Sequence, residues 1–243
     1  MLRFFKPGFL LLLCLPLCGC FLATSDSRIT SEYANTVKTV GVVSLLASNP
    51  KISFLSTSAM DSRFSSAVLE GWNSDALVHA TLLPRLERKG YTVRAMTRNS
   101  ELAAAQAEDW RAPQGDSVAE AIYAAGAAGN FDMVVVVQAQ VREDFVTDTN
   151  QKVRAFGLQK AFDTEPFLYT TVYVEAYEIK RRFVVGRAEG NQIAAAPAGL
   201  WNPIFETTAD EYPLTGSGAQ ILVDALAVQL TTAVGVAAQE AGL

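Results

Sequence analysis

The chain has 243 residues, of which 50% are hydrophobic and 19% are charged, and its formal net charge at pH 7 is −5. This acidic balance argues against a nucleic-acid partner, because nucleic-acid-binding proteins neutralise phosphates with a basic face. A single histidine and three cysteines leave few ways to build a zinc site or a nucleophilic enzyme from imidazole and thiolate groups.

The first 20 residues have the three parts of an export signal. Arg3 and Lys6 give a positive start, and residues 9–17 form a short apolar core. This core is shorter than the roughly 20 residues that cross a hydrocarbon layer. The sequence Leu17-Cys18-Gly19-Cys20 then resembles the lipobox of bacterial lipoproteins. The resemblance implies cleavage before Cys20 and acylation of its thiol, and two or three acyl chains make membrane attachment lasting.

Removal of residues 1–19 leaves a mature chain with 18 basic and 25 acidic side chains and no cysteine except Cys20. An intrachain disulfide is therefore excluded, and burial must stabilise the fold. Phe21 is not the aspartate that resembles an inner-membrane retention signal, which favours the outer membrane and its periplasmic side. We expect a signal peptide at 1–19, a polar lipidated tether at 20–36 and one periplasmic domain at 37–243.

The first half of the domain predicts the order strand, strand, helix, strand, over Lys38–Leu46, Lys51–Ser56, Ser74–Lys89 and Tyr91–Thr97. The first two strands are expected to pair across the turn at Ser48-Asn49-Pro50. Residues 58–71 show no firm period and are interpreted as loop, with some helix as the alternative. Pro84 is expected to kink or shorten the helix.

The second half predicts two helices, a strand, a hairpin and a last helix, over Ser100–Arg111, Ser117–Ala128, Phe131–Val141, Phe167–Glu189 and Ser217 to near the C-terminus. Four consecutive valines in the run from Phe131 indicate a strand buried on both faces. Residues 142–166 are either a strand or an excursion from the sheet, and residues 197–216 are a long connection.

This order predicts an α/β fold, with α+β as the alternative: a single domain with a mixed β-sheet, a C-terminal β-hairpin and helices packed on the sheet. In outline it resembles the α/β modules of outer-membrane lipoproteins, including the curli-secretion lipoprotein and the lipoprotein activators of penicillin-binding proteins. The resemblance implies a periplasmic α/β domain.

No combination of residues predicts a catalytic centre, a metal site or a cofactor site. His79 is the only imidazole and is interpreted as a structural or surface residue on a helix. Carboxylates for glycoside hydrolysis are available among Glu143, Glu165, Glu175 and Glu178, but such a pair is defined by its separation in space.

Aromatic residues are the candidate binding groups. Tyr169, Tyr173 and Tyr177 lie at even spacing, which places them on one face of a strand, and Trp201 follows in the long connection. They form either a binding surface or a stripe packed beneath a helix or loop. Ala188–Leu243 contains six carboxylates and no lysine or arginine, which indicates either a solvated acidic face or a surface for a basic partner.

The anchor, the absence of a catalytic constellation and a compact domain on a tether lead to one main hypothesis. It is a non-enzymatic outer-membrane lipoprotein, anchored through Cys20, that binds another envelope protein as a scaffold, assembly factor or activator. The alternatives are a carboxylate-based cell-envelope hydrolase and a module that binds glycans or small ligands. Homo-oligomerisation is left open.

Overall fold

The computed structural model describes residues 27–111, 117–143, 152–208, 210–214 and 216–243. Within them the strands are β1 Thr39–Ser44, β2 Lys51–Leu55, β3 Arg63–Ser66, β4 Thr92–Ala95, β5 Met133–Ala139, β6 Val141–Glu143, β7 Lys152–Ala161, β8 Phe167–Glu178 and β9 Phe183–Ala195. The helices are α1 Ser31–Ala34, α2 Ser74–Arg88, α3 Ser100–Arg111, α4 Ser117–Ala128, α5 Ile204–Thr207 and α6 Gly216–Glu240.

A mixed sheet holds all nine of these strands, with the main order β3-β2-β7-β8-β5-β1-β4. Strand β8 lies at its centre. One edge of β8 pairs with β9 along its whole length, while the other edge pairs first with β7 and then with β5, all antiparallel. The predicted single α/β domain with a mixed sheet and a long hairpin is confirmed.

The valine run of β5 explains why helices cover both faces of the sheet. Met133, Val135 and Val137 point to the face covered by α2 and α6, whereas Val134 and Val136 point to the face covered by α3 and α4. All five side chains are fully buried. The predicted strand buried on both faces is therefore confirmed.

Helix α6 is long and apolar enough to cross a membrane by length and composition alone. Its fully buried residues, among them Leu226, Leu230 and Val234, belong to the core that it shares with the sheet and α2. Gly190 of β9 lets the helix backbone approach closely, since a Cβ atom there would lie 2.1 Å from the carbonyl oxygen of Ala233.

The predicted pairing of the first two strands is wrong. β1 pairs in parallel with β4 on one edge and with β5 on the other, so no edge remains for β2. Instead β2 pairs in parallel with β7 and antiparallel with β3, which lies in the segment interpreted as loop. Pro84 does not interrupt α2, which runs unbroken to Arg88.

The N-terminal segment from Ser27 to Thr36 lies against the domain, although the sequence assigned it to the tether. Ser27 forms an antiparallel bridge with Arg187 of β9, and Ile29 is only 6% exposed in the main core. The short helix α1 follows, capped by Thr30. Cys20 and the rest of the predicted tether lie outside the described residues.

Candidate functional site

A network of polar side chains from β8 and β9 lies on the face of the sheet that carries α4. Glu175 is 3% exposed and forms an ion pair with Arg187, with 2.8 Å between Oε1 and Nε. Its Oε2 accepts hydrogen bonds from the hydroxyl of Tyr177, at 2.9 Å, and from the amide of Gln138. The buried charge of Glu175 is thus compensated within the fold.

The second carboxylate of this network is Glu189, which accepts a hydrogen bond of 3.0 Å from the hydroxyl of Tyr173 and lies 3.7 Å from a guanidinium nitrogen of Arg142. Partial burial alone would raise its pKa, but hydrogen bonds from Gln140, Tyr173 and Asn191 and the charge of Arg142 bring the pKa of Glu189 below its ordinary value. A general acid for glycoside hydrolysis needs the opposite direction.

The predicted tyrosine stripe divides between core and surface. Tyr177 is 5% exposed and meets Tyr123 of α4 edge to face at 5.7 Å between ring centres. Tyr169 is 3% exposed and packs with Phe167 and Val153. Burial removes these two from a binding surface, so for them the packing alternative is the one observed. Tyr173 is half-buried and keeps its predicted binding role as a prediction.

An open cleft of about 470 Å³ lies at the end of the β8–β9 hairpin where β8 begins and β9 ends. Its walls are residues 162–166, which lead into β8, and residues 196–199, which follow β9; Lys160 and Trp201 complete the lining. The amide of Ala196 donates a hydrogen bond of 2.9 Å to the carbonyl oxygen of Pro166 and joins the two walls.

Trp201 is half-buried and is held on two sides. Its indole N–H donates a hydrogen bond of 2.7 Å to Oε1 of Glu206, and the same oxygen lies 2.6 Å from the ammonium of Lys160. Its ring packs against Phe205 and Tyr212 at 6.0 and 5.6 Å between centres. The predicted binding residue Trp201 is therefore a rigid part of the cleft wall.

The connection behind Trp201 is fixed by Tyr212. Its hydroxyl donates a hydrogen bond to the carbonyl oxygen of Leu200 and accepts one of 2.9 Å from the amide of Asn202. Burial raises the pKa of Tyr212 to about 12, although the hydrogen bond from Asn202 opposes this shift. The hydroxyl is thus a neutral structural group that ties the ends of this loop together.

The outer rim of the cleft carries exposed groups that the sequence interpretation did not single out. Phe162 is 60% exposed, and Asp163 and Glu165 are exposed beside it. The sequence feature that could have identified this rim is Phe162, a large apolar residue in a polar turn before a strand. The cleft combines an aromatic rim with exposed carboxylates.

His79 has a structural position. Its Nε2 lies 3.2 Å from the carbonyl oxygen of Val42 in β1, an arrangement in which that nitrogen donates the hydrogen bond. Among the described residues, no group of three or more histidine, cysteine, aspartate or glutamate side chains is placed to hold a metal ion.

No family model matches the chain, and no curated protein matches it. Solved structures similar to it include the PelC dodecamer from Paraburkholderia phytofirmans, at 11% identity and a TM-score of 0.37, over 90% of this chain and 96% of that one. The C-terminal domain of LpoB from Salmonella enterica is 8% identical with a TM-score of 0.28, over 64% and 82%. The lipoprotein GNA1162 from Neisseria meningitidis is 11% identical with a TM-score of 0.33, over 79% and 97%.

Proposed function

We propose that this chain is a lipid-anchored protein of the bacterial cell envelope that binds another envelope protein through the cleft beside Trp201 and has no catalytic activity of its own. The observation that carries the proposal is the combination of a rigid wall at Trp201 with an exposed aromatic rim at Phe162. Rigid aromatic residues at a concave surface are typical anchors of protein interfaces.

The charge of the cleft indicates the chemistry of the partner. Asp163 and Glu165 are exposed at the rim, whereas the cation in the wall, Lys160, is already paired with Glu206. The accessible charge is therefore negative, and we expect a partner segment that brings lysine or arginine together with an apolar side chain.

The polar network around Glu175 supports a structural role more than catalysis. Both of its carboxylates are engaged by neighbouring side chains, and the pKa of Glu189 lies below its ordinary value. A hydrolase built on these residues is therefore the weaker proposal.

The proposed anchor is tested through the three cysteines. We expect labelling of the protein with a palmitate analogue in cells to be lost with Cys20→Ala and kept with the matched variants Cys14→Ala and Cys18→Ala. After fractionation the acylated protein is expected in the outer membrane. Labelling that persists in Cys20→Ala would refute the proposed acylation site.

The partner is tested by photocrosslinking in living cells. A photoreactive amino acid at Phe162, which is 60% exposed, is expected to give a discrete crosslinked product with another envelope protein. The matched control is the same amino acid at Val228 on α6, which is 66% exposed. A product of equal yield at both positions, or none at Phe162, would contradict the proposed binding site.

A charge variant then ties the product to the chemistry of the cleft. Glu165→Lys is expected to reduce the yield at Phe162 several-fold, because it replaces an attractive charge by a repulsive one. Glu87→Lys changes the charge equally at an exposed site at the other end of the domain and is expected to leave the yield unchanged. The two variants together separate local charge from net charge.

A further inference from the structure

The turn end of the β8–β9 hairpin carries a cluster of exposed cations. We call it the basic end and define it by the exposed residues Arg28, Lys89, Lys180, Arg181, Arg182 and Phe183. We infer that the basic end rests on the headgroups of anionic phospholipids and so orients the domain on the membrane. This inference rests on the proposed lipid anchor at Cys20.

The N-terminal segment enters the domain near this end. Seven Cα steps separate Cys20 from Ser27, so the acylated residue lies at most about 25 Å from Ser27. Ser27 pairs with Arg187, which is four residues from Phe183 and eight from Ala195 along β9. At about 3.3 Å per residue these intervals are about 13 and 26 Å. The basic end is therefore within easy reach of the bilayer, while the cleft is at the limit of that reach.

The cations of the basic end lie on both sides of α1. Arg28 and Lys89 line one shallow depression beside this helix, and Arg181 lines another. Partial burial and the neighbouring charges of Arg85 and Arg28 lower the pKa of Lys89. Because these positive charges repel one another, a surface that supplies negative charge would stabilise them.

Charge is distributed unequally along the domain. Eight of the 18 basic residues that follow residue 20 lie at this end: Arg28, Lys38, Arg85, Arg88, Lys89, Lys180, Arg181 and Arg182. Six carboxylates lie at the same end, namely Glu32, Glu87, Glu120, Asp132, Glu178 and Glu240. Arg181 and Arg182 form ion pairs with Glu178 and Glu120. The opposite end carries the carboxylates of Asp163, Glu165, Glu206, Asp210 and Glu211 against only two cations, Lys160 and Arg63. An anionic membrane therefore repels the cleft end more strongly than the turn end, and this difference turns the cleft away from the lipid.

Apolar side chains accompany the cations. Phe183 and Val184 are 40% and 38% exposed, and the guanidinium of Arg181 lies 4.9 Å from the centre of the Phe183 ring. An exposed aromatic beside arginine suits the interface between water and hydrocarbon, where the ring meets the acyl boundary and the cation meets phosphate.

The orientation is tested with the acylated full-length protein in vesicles. The mature sequence has no cysteine besides Cys20, so Phe183→Cys and Phe162→Cys each place one fluorophore at a known end. With a quencher on the lipid headgroup, we expect strong quenching at position 183 and little at position 162 in vesicles of phosphatidylglycerol and phosphatidylcholine. In phosphatidylcholine alone the difference between the positions is expected to shrink. Equal quenching at both positions in the anionic vesicles would overturn the inference.

The contribution of charge is measured on the mature chain with Cys20→Ala, which has no acyl chains. Arg181→Glu and Lys89→Glu are each expected to weaken binding to the anionic vesicles by about fivefold or more. The matched variant Lys51→Glu, exposed on β2, is expected to have a smaller effect. Equal effects of the three variants would refute a localised lipid surface. Failure of the acylated protein to associate with either vesicle type would instead contradict the proposed anchor.

Discussion

Ser27 and Arg187 exchange two backbone hydrogen bonds, of 2.9 Å from the amide of Ser27 and 2.7 Å from the amide of Arg187. The same Arg187 pairs through its side chain with the buried carboxylate of Glu175. The point at which the N-terminal segment leaves the domain is therefore fixed to the centre of the sheet. A force on the proposed lipid anchor would therefore reach the fold at the bridge between Ser27 and Arg187.

Ile29→Ala is expected to destabilise the domain, because residues 27–36 pack as part of it. Ile29 is 6% exposed, and its side chain fills the space above Gly186. Truncation of a buried isoleucine costs about 2–4 kcal/mol. Urea unfolding of the mature chain with Cys20→Ala measures this difference. Val68→Ala is the control, because it truncates an apolar side chain that is 81% exposed and lies outside the core. If Ile29→Ala is as stable as Val68→Ala, residues 27–36 do not unfold cooperatively with the domain.

Gly190→Ala is expected to separate α6 from the hairpin. The added Cβ atom would lie 2.1 Å from the carbonyl oxygen of Ala233 and 2.7 Å from its carbon, and helix backbone cannot move aside without losing its packing on β9. Overpacking of this kind costs about 1–3 kcal/mol. Gly235→Ala is the control within α6, because apart from the adjacent backbone of the helix itself no described atom lies within 4 Å of its added Cβ. That change is expected to stabilise the helix by up to roughly 1 kcal/mol, so thermal unfolding should shift in opposite directions for the two variants.

The sequence predicted elements that depend on local pattern and missed relationships that depend on distant pairing. The run of valines in β5 carries its own signal, because only a strand covered on both faces is apolar at every position. The partners of β2 carry no such signal. They depend on the occupation of both edges of β1 by β4 and β5, which lie far along the chain.

In the candidate site too, the sequence predicted local features and missed those that depend on distant segments. Even spacing placed Tyr169, Tyr173 and Tyr177 on one face, but which of them is covered depends on the position of α4 and of Val153. The cleft beside Trp201 forms only because residues 162–166 and 196–199 meet at one end of the β8–β9 hairpin. No local sequence pattern predicts that these two segments lie side by side.

Tyr212→Phe is expected to loosen the connection that supports Trp201. The hydroxyl of Tyr212 bonds to the backbone of both Leu200 and Asn202, and its removal leaves two backbone groups without their partner. The expected cost is about 1–3 kcal/mol, with faster proteolysis in residues 197–214. Tyr33→Phe is the matched control, since the hydroxyl of Tyr33 is buried without a hydrogen-bond partner among the described residues. Its loss should leave stability unchanged or slightly higher, and equal destabilisation by both variants would refute this account.

Asp132 makes the stability of the domain depend on pH in the acidic range. Its Oδ2 accepts hydrogen bonds from the backbone amides of Lys38 and Thr39, at 2.9 and 2.8 Å, and from the hydroxyl of Thr39 at 3.0 Å. Partial burial would raise its pKa, but these hydrogen bonds and the charge of Lys38 bring the pKa of Asp132 below its ordinary value. A carboxylate with a depressed folded-state pKa contributes stability above its unfolded pKa of about 3.9 and loses that contribution as the pH falls through the folded value.

Asp132→Asn is therefore expected to be less stable than the parent at neutral pH and to converge with it in acid. The side chain is exposed to solvent, so we expect a loss of only about 1 kcal/mol, from weaker hydrogen bonds to a neutral acceptor. Urea unfolding of both proteins from neutral pH to below the folded-state pKa measures the gap, which should stay constant down to about pH 5 and close at lower pH. Asp61→Asn changes an exposed aspartate and should show no comparable gap. A gap that persists undiminished in acid would mean that the ionised carboxylate of Asp132 is not what joins the start of β1 to β5.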